Sequence, residues 1–372
     1  MRKILVSTIF LLILCVSANA NIVYTTTSGD MGLIKVSSST SADLAGIQYT
    51  NASSDTLLGS YWDGENVRII LLNRAADPEK SSGDKALVFR TSNLTTPINS
   101  EAKTLVGVYN AQAAAGSYNG RRIYFASDAS IREFDTESFS ETNSYTNTPA
   151  SGDTYTPALK SLISSRYRLY CLLDREELSP RLLGFDGQLK DDVQSFVNVN
   201  ISADASCISW LSKSRVAAGH SEGVSIWGLN GFYQVISTDL PVKALCQDGG
   251  NGFYFAEQGL SGDVVTTTLK HYHAGDKTVT EIYSDDSGTC YRLLRDDVNW
   301  ILAAVIGGKI VICSMTDDSI TAEYDSESLG GLPLNVATTH VTGDDGDISS
   351  GCNFAGAGGV IMLLACLFLK RR

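Results

Sequence analysis

The chain has 372 residues, 43% of them hydrophobic, with 33 glycines, only 7 prolines, and 41 acidic against 29 basic side chains. It is too apolar for a disordered protein and long enough for two ordinary domains or one large all-β unit. The net charge of −12 argues against nucleic acid as a partner, because a phosphate binder needs a surplus of Lys and Arg.

Residues 1–20 place Arg2 and Lys3 ahead of an apolar run from Ile4 to Val16, which ends in the small-x-small triplet Ala18-Asn19-Ala20. This is the layout of a secretory signal peptide, with cleavage after Ala20 and Asn21 as the mature N-terminus. An uncleaved anchor would need a longer apolar span. Lipid on Cys15 would need a small residue where Leu14 stands.

From there the chain repeats. A short β-rich segment begins at Ile22, Arg68, Arg122, Arg168, Arg215, Phe253 and Trp300, at intervals of 46, 54, 46, 47, 38 and 47 residues. Seven copies at a period of four short strands match the blades of a β-propeller. An apolar strand precedes several copies, as in Leu57 to Trp62, Leu105 to Tyr109, Ser206 to Trp210 and Cys290 to Leu294. A third strand follows, such as Val224 to Trp227 or Lys309 to Cys313, and then a polar, alternating fourth such as Ile320 to Tyr324. Outside the two ends, no window of ten residues carries a helical stripe.

The first unit starts on its second strand and lacks an innermost one. Leu332 to Ala337 echoes Leu240 to Leu245, the innermost strand of the sixth unit. The expected fold is therefore an all-β, seven-bladed propeller over residues 21–341, its ring closed by a C-terminal strand added to the N-terminal blade. Closure of this kind removes the exposed edges of a linear array.

Chemistry is harder to find. Of the eight cysteines, Cys171, Cys207, Cys246, Cys290 and Cys313 lie in the repeats, with no CxxC spacing. Buried free thiols are expected, with room for one bridge. Cys207, Cys246 and Cys290 read as equivalent innermost-strand positions. His271-Tyr272-His273 puts two imidazoles on one face of a strand, a feasible metal pair with no third ligand in view, so the expectation is an exposed decoration. No catalytic motif, Asp-box, tryptophan-docking repeat or WD repeat is present. Hence no catalytic, cofactor or metal residue is assigned and no cofactor is implied. Candidate binding loops are Ala75 to Lys85, Tyr145 to Tyr155 and Asp174 to Pro180.

The C-terminal end is a second address label. A polar linker, residues 342–351, reaches at most about 35 Å. After it come Gly351-Cys352-Asn353, an uncharged run from Phe354 to Leu369, and Lys370-Arg371-Arg372. At 1.5 Å per residue that run makes a helix of about 24 Å against a hydrocarbon core of roughly 30 Å, and the basic cluster holds its end in the cytoplasm. Gly-Cys, small residues, an apolar helix and a basic terminus together resemble a Synerg-CTERM-type C-terminal sorting signal, in the tail only. The resemblance implies that a sorting protease removes the tail and that Cys352 is the processing and anchoring residue. A plain transmembrane anchor is the alternative. Removing both ends takes away five basic and no acidic residues, leaving 24 basic and 41 acidic in residues 21–352, a charge of −17.

The function expected from these features is an exported, envelope-tethered propeller acting as a binding or scaffold module for a protein, peptide or glycan. Alternatives are an envelope hydrolase or lyase with its site in the axial channel, and a surface-layer structural component.

Overall fold

The computed structural model describes residues 21–75, 83–99, 101–117, 120–127, 129–148, 158–164, 168–175, 178–186, 197–200, 205–212, 215–228, 231–261, 264–286 and 288–340. Residues 1–20, Ala20 among them, and everything from residue 341 onward, including Cys352 and the apolar run from Phe354 to Leu369, lie outside them. No helix among the described residues is long and apolar enough to cross a membrane.

Short β-branched and aromatic runs separated by Gly, Asp, Asn and Ser fold as seven four-stranded antiparallel sheets. Blade one contains β1 (Asn21–Thr26), β2 (Met31–Ser38) and β3 (Ser41–Tyr49). Blade two is β4 (Thr56–Trp62), β5 (Val67–Asn73), β6 (Asp84–Arg90) and β7 (Lys103–Leu105). Blade three is β8 (Ala113–Gly116), β9 (Arg122–Ser127), β10 (Ser130–Asp135) and β11 (Glu141–Thr146). Blade four is β12 (Ala158–Ser164), β13 (Arg168–Arg175), β14 (Leu178–Asp186) and β15 (Val197–Asn200). Blade five is β16 (Cys207–Ser212), β17 (Arg215–His220), β18 (Gly223–Gly228) and β19 (Gly231–Ser237). Blade six is β20 (Val242–Gln247), β21 (Phe253–Ser261), β22 (Val264–His273) and β23 (Thr278–Asp285). Blade seven is β24 (Cys290–Asp296), β25 (Ile301–Ile306), β26 (Lys309–Ser314) and β27 (Ile320–Tyr324).

The chain then makes one helical turn, α1 (Ser326–Leu329), capped by the Asp325 carboxylate and ended by Gly330 at φ 75°. It returns as β28 (Pro333–Thr338), which pairs antiparallel with β1 in the register Ile22–Thr338 and Tyr24–Val336. Blade one thus reads β28-β1-β2-β3, and consecutive innermost strands touch all the way round the ring. The closing strand is the one the repeat required. Tyr24, wholly buried beside it, lies over Gly32, where a Cβ would come within 2.1 Å of the phenol ring.

Seven apolar clusters hold the ring together, one at each boundary between neighbouring blades. The side chains of a second or third strand alternate between the two boundaries of its blade. In blade six, Tyr254, Ala256 and Leu269 pack toward blade seven, whereas Phe253, Phe255 and Tyr272 pack toward blade five. Each fully buried Leu, Ile or Phe in such a cluster contributes about 1.5–3 kcal/mol relative to exposure.

Two sequence expectations need correction. The innermost strand of blade three is β8, not Leu105 to Tyr109. Leu105 ends the outermost strand of blade two, and Gly107 turns the chain at φ 79°. Cys246 is not equivalent to Cys207 and Cys290. The latter two open their strands, while Cys246 sits near the end of β20, opposite Tyr254. All five described cysteines are free. Burial pushes the thiols of Cys207 and Cys246 up to about 11 and those of Cys290 and Cys313 up to about 12, so they stay protonated and unreactive.

Candidate functional site

All innermost strands run in one direction, so the turns that follow them lie on one face, here called lower. The turns between third and outermost strands lie there too. On this face, three segments remote in sequence meet at the boundary of blades six and seven. β22 ends in His271-Tyr272-His273, and its alternation turns Tyr272 toward blade five and His271 toward blade seven. Opposite His271 in the ladder stands Tyr254 of β21, and the two rings stack with centroids 4.1 Å apart.

Asp248 opens the turn from β20 to β21. Its Oδ1 accepts the Gly250 N–H at 2.6 Å, while Oδ2 lies 3.3 Å from His271 Nε2. Gly252 leaves room for that carboxylate, since a Cβ there would come within 2.4 Å of Asp248 Oδ2 and 2.3 Å of the Tyr272 carbonyl oxygen. The remaining carboxylate comes from blade seven. Asp318 sits at φ 58° in the turn between β26 and β27, a left-handed conformation that Asp tolerates better than most residues. Its Oδ2 lies 2.9 Å from His271 Nδ1 and 3.5 Å from His273 Nε2, and its Oδ1 accepts the Tyr254 hydroxyl at 3.2 Å.

His271 is buried and held between two carboxylates. Burial pulls its pKa down, but the hydrogen bonds and charges of Asp248 and Asp318 outweigh it and push the value up to about 9. Burial pushes Asp248 up, yet the His271 hydrogen bond and the Gly250 N–H hold it below the usual carboxylate range. Burial and Asp318 together push the Tyr254 phenol far above its ordinary value, so it remains a donor.

Beside this cluster opens a cleft of ≈ 1130 Å³ between blades five and six. Arg215, Gln234, Asn251, Asp276 and Thr280 line it, with Asp248 and His273 on the side shared with the cluster. Leu211, Ile226 and Tyr272 give it an apolar floor.

The sequence-predicted sites fall differently. His271 and His273 are not decorations on an exposed strand, because His271 is buried and Asp318 supplies the third group that the sequence did not reveal. The signals for the carboxylates were the turn sequences Asp248-Gly249-Gly250 and Asp317-Asp318-Ser319, but nothing in them says which strand they would meet. Cys352 and Ala20 lie outside the described residues.

Of the candidate loops, Asp174 and Pro180 belong to strands, and Tyr145 is a strand residue packed edge-on against Phe185. The base of the loop from Ala75 is pinned structurally. The buried Asp84 carboxylate accepts the N–H groups of Ala75, Asn110 and Ala111 at 2.7, 2.9 and 2.8 Å.

No family model matches the chain, and neither does any curated protein. Solved structures do match in fold. A protein of Bacteroides fragilis provisionally named 6-phosphogluconolactonase superposes with a TM-score of 0.59 at 11% identity, over 87% of this chain and 99% of that one. A protein of Bacteroides uniformis with the same provisional name gives 0.58 at 12% identity, over 86% and 99%. At such identities the likeness establishes the seven-bladed architecture and no more.

Proposed function

We propose that this protein is an exported, envelope-tethered binding module, and that its ligand, a peptide or a glycan, occupies the lower-face cleft between blades five and six. The cleft carries this reading. Its lining combines both signs of charge, amides and hydroxyls over a small apolar floor, which suits a hydrophilic chain held by several polar contacts. The leader and the tail fit the same picture. Asn21 and Thr339 exchange hydrogen bonds, with the Asn21 N–H donating to Thr339 Oγ1 at 2.8 Å and the Thr339 N–H to the Asn21 carbonyl at 2.9 Å. Both ends of the propeller therefore leave from its lower face. With the leader removed after Ala20 and the tail kept, or processed at Cys352 by a sorting protease, the tether would turn the cleft toward the envelope.

Glycan and peptide arrays probed with the mature chain test the reading. Binding is expected to one ligand class and to be lost with Arg215→Ala or Asp276→Asn. Binding that survives both substitutions would place the ligand elsewhere.

A second reading is hydrolysis, favoured by the names of the structural neighbours and by the carboxylate–histidine cluster. It would put the site on the lower face, two strands away from the axis, rather than in the axial channel. If the binding reading is right, 6-phosphogluconolactone is hydrolysed no faster with the protein than without it. Acceleration that disappears with Asp318→Asn would replace binding by catalysis.

A further inference from the structure

One imidazole nitrogen each of His271 and His273 and a carboxylate oxygen of Asp318 all lie within 4.8 Å of one another. In a tetrahedral zinc site, bonds of about 2.0–2.1 Å set neighbouring ligand atoms about 3.3–3.4 Å apart. Here Asp318 Oδ2 is 2.9 Å from His271 Nδ1 and 3.5 Å from His273 Nε2, so the two distances bracket that spacing. The outer groups are also in place. Asp248 backs His271 through Nε2, as carboxylates commonly back metal-bound histidines, and the Tyr254 hydroxyl donates to the other oxygen of Asp318, which itself lies 3.0 Å from His271 Nδ1. His273 is the most exposed of the three and lines the cleft, which offers an entry path for an ion.

We propose that His271, His273 and Asp318 bind one zinc-class divalent transition-metal ion, with a coordination position left open toward the cleft. Two imidazole nitrogens and one carboxylate select this class over calcium or magnesium, which require shells of oxygen ligands. Three protein ligands with a free fourth position is the pattern of zinc sites that engage an exogenous molecule rather than of closed structural sites. The site stands whether or not the cleft holds a peptide or glycan, because its three groups meet at the boundary of blades six and seven and only His273 also lines the cleft.

The test uses the full-length, untagged chain, stripped with chelator and dialysed. Titration with Zn²⁺ by calorimetry should saturate at one ion per chain, and Co²⁺ should give the intense visible absorption of four-coordinate cobalt. His273→Ala and Asp318→Asn should each weaken binding about tenfold or more and remove the cobalt spectrum. His340→Ala should change neither. Because His273 is partly exposed, its removal reports on the metal even where Asp318→Asn fails to fold. No binding by the wild type, or equal binding by His273→Ala, overturns the proposal and leaves the cluster as a purely internal ion-pair network. Array binding that persists while zinc binding fails would leave the reading of the cleft intact.

Discussion

Blades three and seven turn from third to outermost strand along the same backbone and place opposite chemistry on it. Five residues connect the strands in each: 136–140 in blade three and 315–319 in blade seven. The strand pair closes alike, with Asp135 N–H donating to the Ser140 carbonyl and Ser314 N–H to that of Ser319. The fourth of them is left-handed in both, Phe139 at φ 55° and Asp318 at φ 58°. In both, its side chain reaches back to the preceding blade. Phe139 packs against the apolar cluster between blades two and three, while Asp318 meets His271 between blades six and seven. The rims that receive them also begin alike. Asp63 opens the inner turn of blade two and pairs with Arg68 at 2.6 Å, as Asp248 does in blade six with His271 at 3.3 Å.

The fold thus supplies a fixed delivery point on the lower face, and one residue decides whether it seals a boundary or builds a polar centre. A propeller can acquire such a centre without a linear motif, which is why motif inspection finds nothing here.

The severest way to break both rims at once is to open the ring. Deleting residues 332–340 removes β28, including the fully buried Val336, and exposes the edges of β1 and of the neighbouring inner strands. The loss should be on the order of the 5–15 kcal/mol that stabilises a whole domain. Trimming 342–351 should leave the melting temperature unchanged. Equal stability of the two truncations, measured by thermal circular dichroism, would show that the C-terminal strand does not close the structure.

Exchanging the delivered residues is the next largest intervention. Asp318→Phe takes away the nearer carboxylate of His271 and should cost about 2 kcal/mol in urea unfolding. Phe139→Asp sets a carboxylate against an apolar cluster and should cost a similar amount, about 2 kcal/mol, through lost burial and desolvation. The backbone cannot be blamed for the second loss, since Asp accepts the left-handed conformation more readily than Phe. If either exchange leaves stability within about 0.5 kcal/mol of wild type, the turn does not deliver its side chain to the preceding blade as described.

These residues also mark the limit of what the sequence discloses. The seven second strands begin within one residue of where the repeat puts them, because Arg122-Ile-Tyr-Phe-Ala-Ser and its relatives carry strand composition and a countable period. Ring closure was equally legible, since Leu332 to Ala337 restates an innermost strand. Half of the polar centre was visible too, because period-two alternation places His271 and His273 on one face. Asp318 was not, although it stands in plain view of any search for acidic residues. Its partner is 47 positions away and in another blade, and only the packing of one sheet on the next brings them together. The same blindness made Leu105 to Tyr109 look like a strand, since an apolar run does not disclose that Gly107 turns it.

The finest distinction between the two rims is whether their residues act singly or together. Asp248 and Asp318 share one partner, His271, whereas the carboxylate of Asp63 has its own partner in Arg68 and Phe139 packs against the apolar cluster at its boundary. Removing the first of two carboxylates around one cation is cushioned, because the other still pairs with it and the repulsion between the two is relieved. Removing the second leaves the ring bare in a buried setting. In chelator-treated protein, Asp248→Asn together with Asp318→Asn should therefore destabilise by about 1 kcal/mol more than the sum of the single changes. Asparagine is the right replacement, since it keeps the shape of the side chain and tolerates the left-handed position of residue 318. On the other rim, Asp63→Asn combined with Phe139→Leu should add within about 0.3–0.5 kcal/mol. Urea unfolding of the two sets of four proteins measures both couplings. Additive losses at Asp248 and Asp318 would mean that the two carboxylates do not share His271, and the lower rim of blade six would then differ from that of blade two in composition only.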